Sequence, residues 1–337
     1  MPLSIATPEG QLRQSDKASL RNFLISKSDG VSCEYPKNAA WFVDGFAAIR
    51  SLKPKKTYKD WILSLLPFIE PPADALSCLI SMINDRYLQK SIKECTKNDR
   101  VQSNVSIDIQ GFEQHTLQGV RWNEFLHNGE NKNGLIRLLS RCFQSVEGMK
   151  YLKYPFVISE EGKTYIVERH RSTLLHECNH EEADTRLVLH AAKQDTGVVI
   201  VSKDTDVLVL LIWAFSKHQI AYKWFFQFER EKFVEIGSIC RSLGQRVCSS
   251  LPAIHAISGC DTTSYFYKAG KVKILKNLLM DESKCELIEN LGASATLGKD
   301  SLEDVKQFIQ MNVYSRKENE TYVQKRIRLY QKLKEKT

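Results

Sequence analysis

The chain has 337 residues, 42% of them hydrophobic and 26% charged, with a formal net charge of +8. That length and apolar content provide for one large or two ordinary domains with a sizeable core. No apolar run reaches the roughly 18 to 20 residues a membrane-spanning helix needs, because Lys203 to Asp206 interrupt the best candidate. The start, MPLSIATPEGQLRQSDKASL, lacks the apolar stretch of a secretory signal, so a protein of the cytosol or nucleus with no membrane partner is expected.

In chain order, residues 1 to about 38 are polar and read as a leader or linker. AAWFVD (39 to 44) is an apolar run ending in an acid, followed by GFAAIRSL and the amphipathic YKDWILSLLPFI, which predicts strand, turn, helix. LSCLISMIND (76 to 85) repeats that grammar, and the charged RYLQKSIKECTKNDR after it predicts a helix. WNEFL and NGLIRLLSRCF predict helices in an insertion over about 101 to 160. KTYIVER (163 to 169) predicts a strand and EEADTRLVLHAAKQ (181 to 194) a helix whose first turn is crowded with acids, where the helix dipole favours them. VVIVS predicts a central parallel strand, since β-branched residues occupy both of its faces, and a helix follows from near Thr205. AYKWFFQF and KFVEIG predict a hairpin whose aromatics belong to the sheet core. SICRSLGQRVCSSL, LPAIHAISG and KVKILKNLL predict helices, and residues 276 to 337 form a helical, basic C-terminal extension. Strands alternating with helices predict an α/β fold of three layers, a mostly parallel twisted sheet flanked by helices.

The nine cysteines are scattered, with no C-x-x-C pair, and read as reduced thiols. His176, Cys178 and His180 in HECNH are the one Cys/His cluster, and no second pair stands elsewhere to complete a structural zinc site. No G-x-S-x-G supports serine hydrolysis.

The acids carry more. Asp44 and Asp85 end strand-like runs, Glu182 and Asp184 open a helix, Asp204 and Asp206 leave the VVIVS strand, and Asp261 follows LPAIHAISGC. In a parallel sheet, strand-end acids gather at one edge, where ligands bind. Carboxylates crowded there repel and some become neutral unless divalent cations share the space. Hard oxygen ligands suit Mg²⁺ or Mn²⁺, and two such ions can drive phosphodiester hydrolysis.

Read in order, FVDG (42 to 45), the Asp85 run, EEADT (181 to 185), SKDTDVLVL (202 to 210) and SGCDTT (258 to 263) resemble the nuclease core of the flap endonuclease and 5′ exonuclease family, a branch of the PIN-like fold. HEEADTR, DTDVLVLL and GCDTT also resemble the wording of a group of often multicopy animal proteins linked to mobile elements. The resemblance covers about 39 to 275 and implies a structure-selective, metal-dependent nuclease acting on DNA or RNA, with all seven acids as catalytic metal ligands. It places Lys90, Lys93, Lys97 and Arg100 where the family's helical arch grips the scissile phosphate. Of the family's G-x-G, which binds duplex backbone beside potassium, SYFYKAGKVKILK keeps Gly270 alone, and Asp184 stands where the family has Glu. Two further readings stay open: an inactive PIN-like module that binds nucleic acid or protein, and a Toprim-like or phosphatase site built on Glu182 and the D-x-D pair.

Overall fold

The computed structural model describes residues 15–72, 77–87, 106–112, 114–115, 121–168, 171–260, 263–266, 269–294 and 298–313, with isolated positions at 7, 11, 13, 75, 296, 323–324, 327–328 and 331. They divide into two compact units, one of Gly30–Leu211 with His218–Ile236, the other of Met1–Asp29, Ile212–Lys217 and Gly237–Thr337.

The first unit holds an eight-stranded sheet: β1 (Ala39–Asp44), β2 (Ser77–Ile83), β3 (Phe156–Glu160), β4 (Lys163–Glu168), β5 (Arg171–Glu177), β6 (Val198–Val201), β7 (Trp224–Glu229) and β8 (Lys232–Glu235). Their spatial order is β5-β4-β3-β2-β1-β6-β7-β8. The five central strands, β3 to β7 in that row, pair in parallel, and antiparallel strands finish both edges. β1 reads AAWFVD, and its first five residues are buried because both faces of a central parallel strand are covered. The expected α/β architecture is therefore present, with helices flanking a mostly parallel sheet.

The helices of this unit begin where local chemistry predicts. Asp44 caps α2 (Gly45–Ser51). Thr57 and Asp60 form a reciprocal capping box for α3 (Tyr58–Ile69), satisfying amides that the first turn leaves without partners. Between β2 and β3 lie α4 (Trp122–His127), α5 (Gly129–Gln144) and α6 (Val146–Met149). α3, α4 and α5 bury Trp61, Phe125, Leu135, Leu139 and Phe143 against Ile80 and Ile158 of the sheet. The insertion is thus helical only in part: its last five residues form β3, a strand too short for its pattern to stand out. α7 (Ala183–Ala191) packs on β1 and β2, and α8 (Thr205–Lys217) follows β6. Trp224 and Phe226 of β7 are buried, as their place in a hairpin core requires.

The second unit contains α1 (Lys17–Ile25), the Ile212–Lys217 part of α8, α9 (Ile236–Leu243) from Gly237 onward, α10 (Gln245–Ile257), α11 (Lys271–Met280), a 3₁₀ turn (Glu282–Leu287) and α12 (Lys299–Asn312). α1 lies in the stretch expected to be a leader and contacts α11. Gly244, at φ 80°, breaks α9 from α10, a conformation that favours glycine. The basic stretch 316 to 335 falls almost wholly outside the described residues. No helix among the described residues is long and apolar enough to cross a membrane.

Candidate active site at the sheet switch point

The strand order reverses at β1, which has β2 and β3 on one side and β6 and β7 on the other. Such a switch point leaves a crevice beyond the strand carboxyl ends, because the chain departs from neighbouring strands in opposite directions. The register aligns these exits: Asp44 pairs with Ile83, two residues before Asp85, and Val43 pairs with Val201, three residues before Asp204.

Each acid is then set by local bonding. Asp44 Oδ1 accepts the amides of Phe46 (2.9 Å) and Ala47 (3.0 Å), which fixes the carboxylate at the start of α2. Asp85 Oδ1 accepts the Ala183 amide at 2.8 Å, and its Oδ2 accepts the Tyr87 hydroxyl at 3.1 Å. The Asp85–Ala183 bond joins the exit of β2 to the first turn of α7, so Glu182, at the N-cap, and Asp184 are carried to the same edge. Asp204 takes its place as the chain leaves β6: its amide donates to Ser202 Oγ (3.0 Å) and its Oδ1 accepts the Asp206 amide (2.9 Å) as α8 begins. Within VVIVSKDTDVLVLLIW, Asp204 thus stands between strand and helix and Asp206 in the first turn of α8, so neither acid lies in the strand.

The electrostatics show which acids share space. Burial, together with Asp204, Asp44, Asp85 and Asp206, pushes the carboxyl of Asp184 up to about 8. Asp44 is pushed up to about 6, chiefly by burial, partly offset by the Ala47 amide, with Asp85 and Asp204 adding to the rise. Five of the seven expected acids therefore press on one another across three strand exits and one helix start. Tyr87 is held well above its ordinary range by burial and by Asp85, so its hydroxyl keeps the proton it donates.

Asp261, Lys90, Lys93, Lys97 and Arg100 lie outside the described residues. The turn leading to Asp261 is described, within the second unit. There the buried ammonium of Lys271 donates to His255 O (2.7 Å), Ser258 Oγ (3.2 Å) and Gly259 O, while Thr263 Oγ1 donates to Ala256 O at 2.8 Å.

His176 and His190 meet at 2.9 Å between their Nε2 atoms, joining β5 to α7. His190 is buried and its imidazole is pushed down to about 3, so the pair is neutral and structural. His180 contacts Thr185 instead. HECNH accordingly splits its three side chains rather than converging. The sequence pattern pointed neither to His190 as the partner of His176 nor to the bond between Arg186 and the Asn84 carbonyl beside Asp85. The residue type was visible in each case, but the neighbour that gives it meaning comes from a distant segment.

Comparison with family models, with curated proteins and with solved structures gives no match. The donors that the site offers are the carboxylates of Asp44, Asp85, Asp184, Asp204 and Asp206. Oxygen-only, anionic and partly desolvated, they fit a hard divalent cation in kind and in charge. Among the described residues no three His, Cys, Asp or Glu side chains are close enough to hold a metal as they stand. Mg²⁺ does not require such a cage, because it keeps several waters and binds through one or two carboxylates with substrate phosphate.

Proposed function

We propose that this chain is a divalent-metal-dependent nuclease that hydrolyses phosphodiester bonds in DNA or RNA at the β1/β6 switch point. The observation that supports it best is the convergence of Asp44, Asp85, Asp184, Asp204 and Asp206, five acids from four separate segments, where a parallel sheet binds its ligands. Asp44, Asp184, Asp204 and Asp206 are the residues to hold Mg²⁺ or Mn²⁺, with Glu182 beside them at the N-cap of α7. Bound ions would supply an activated water and neutralise charge on the phosphate. Asp85 contributes as an anchor, since both of its oxygens already accept hydrogen bonds. Asp184 gives up its proton when positive charge arrives, because the neighbours that raise it are then offset. The resemblance to the flap endonuclease and 5′ exonuclease family supports the same reading. It adds Asp261 to the ligands, and Lys90, Lys93, Lys97 and Arg100 as phosphate-steadying groups.

A second reading is favoured by the absence, among the described residues, of a closed three-ligand set. In that reading the chain is a binding module on the same scaffold, taking nucleic acid or protein without turnover. Labelled single-strand, flap and hairpin substrates, incubated with Mg²⁺ or Mn²⁺ beside an Asp204→Ala control, separate the two. Cleavage that is lost in Asp204→Ala is expected. Binding without cleavage by the folded wild type would favour the module.

A further inference from the structure

Two residues beyond Asp184, α7 buries a full positive charge. Arg186 is 0% exposed. Its Nη1 donates to Asn84 O at 3.0 Å and to Glu161 O at 2.9 Å, and its Nη2 to Thr164 Oγ1 at 3.4 Å. Asn84 immediately precedes Asp85, and Glu161 turns the chain between β3 and β4 at φ 51°. One side chain thus ties the helix carrying Glu182 and Asp184 to the backbone that delivers Asp85.

The acceptors are themselves held. The Asn84 amide donates to Ser159 Oγ (2.7 Å), and its Nδ2 donates to Ser159 O (2.8 Å). Asn84 also lies so close to Gly45 that a Cβ there would stand 2.0 Å from Asn84 Oδ1. Residues next to Asp44, Asp85 and Asp184 therefore interlock beneath the acids.

Burying a guanidinium costs several kcal/mol unless its donors and charge are met, and packing alone would be served better by an apolar residue of similar volume. Leu187 and Ala183 on the same helix already provide such packing. What an apolar side chain does not provide is a directional bond that fixes the helix about its axis, and a planar fork does. Burial holds the guanidinium below its ordinary range, with Asp85 the carboxylate that supports its charge, and Nε is buried without a partner, so the bonds of Nη1 and Nη2 offset the cost only in part.

We propose that Arg186 is the positioning residue of the acid basin: its guanidinium locks the first turn of α7, with Glu182 and Asp184, to the exit of β2, with Asp85. The carboxylate spacing is thereby set before a cation arrives, a purpose that rests on the metal-dependent reading above. The lock itself is independent of it.

The test compares Arg186→Met with Leu187→Ala, a core truncation on the same helix that lowers stability without touching the lock. Hydrogen exchange at the Ala183 amide, which donates to Asp85, reads the lock, and Mn²⁺ titration followed by electron paramagnetic resonance reads its purpose. Arg186→Met is expected to speed exchange at this amide about tenfold over Leu187→Ala. It should also weaken Mn²⁺ binding by about 10- to 100-fold, the usual effect of removing a group that orients metal ligands. Leu187→Ala is expected to hold Mn²⁺ as the wild type does. Should Arg186→Met not fold, Arg186→Lys, which keeps the charge and loses the fork, carries the same comparison. Equal exchange in the Arg186 variant and Leu187→Ala overturns the proposal. A wild type that takes up no Mn²⁺ overturns the metal reading instead, and the exchange result still decides the role of Arg186.

Discussion

Asp184 concentrates the energetics of the site in one carboxyl. Its folded-state value of about 8, against an ordinary 3.8, means that the folded chain holds a proton there that the unfolded chain releases. A raised carboxyl makes stability fall as pH rises through the window from about 4 to about 8, by at most roughly 1.4 kcal/mol for each pH unit crossed. Asp184→Asn removes this titration. Without divalent metal, the variant should melt like the wild type near pH 4 and at a higher temperature by pH 8, the gap widening between them; parallel melting curves across that range would contradict it. Gly45 makes the complementary steric case. The Cβ of Gly45→Ala would meet Asn84 Oδ1 and also stand 2.9 Å from Met82 Cε, against a side chain pinned to Ser159. Overpacking of this kind costs about 1–3 kcal/mol, so urea unfolding should show a loss in that range.

At the scale of elements, what could be read in the sequence depended on whether an element's neighbours lie within it. Asp44, Asp85 and Asp204 were legible because each stands at or just past the end of an apolar run, and the Thr57 capping box was written locally. β5 was not: RSTLLHE sits at the sheet edge, mostly exposed on both faces, so it shows no alternation to find. Arg186 reads in sequence as one more charge on an amphipathic helix, and only tertiary contact reveals a buried fork. The turn before Asp261 lies between these cases. Its SGCDTT wording marks it, yet the Lys271 ammonium that holds it comes from the start of α11. Lys271→Met strips charge-assisted bonds from buried acceptors and should cost about 3 kcal/mol in chemical unfolding. A loss below about 0.5 kcal/mol, the size typical of surface substitutions, would show that the ammonium does not hold the turn.

Across the whole molecule, the sheet supplies what no single motif contains. Parallel pairing of β2, β1 and β6 brings residues 44, 85 and 204 to one edge, although some 160 positions separate the first from the last. α7 then delivers Asp184 against them through Asp85 and Arg186. The resulting basin crowds carboxylates whose charges oppose one another, a strain that the proposed divalent cation would relieve. The direct measurement is anomalous scattering from crystals of the wild-type protein soaked in Mn²⁺. A peak within ligand distance of Asp184 and at least one of Asp44, Asp204 and Asp206 is the predicted result. An ordered protein whose Mn²⁺ density lies elsewhere, or nowhere, would contradict the account.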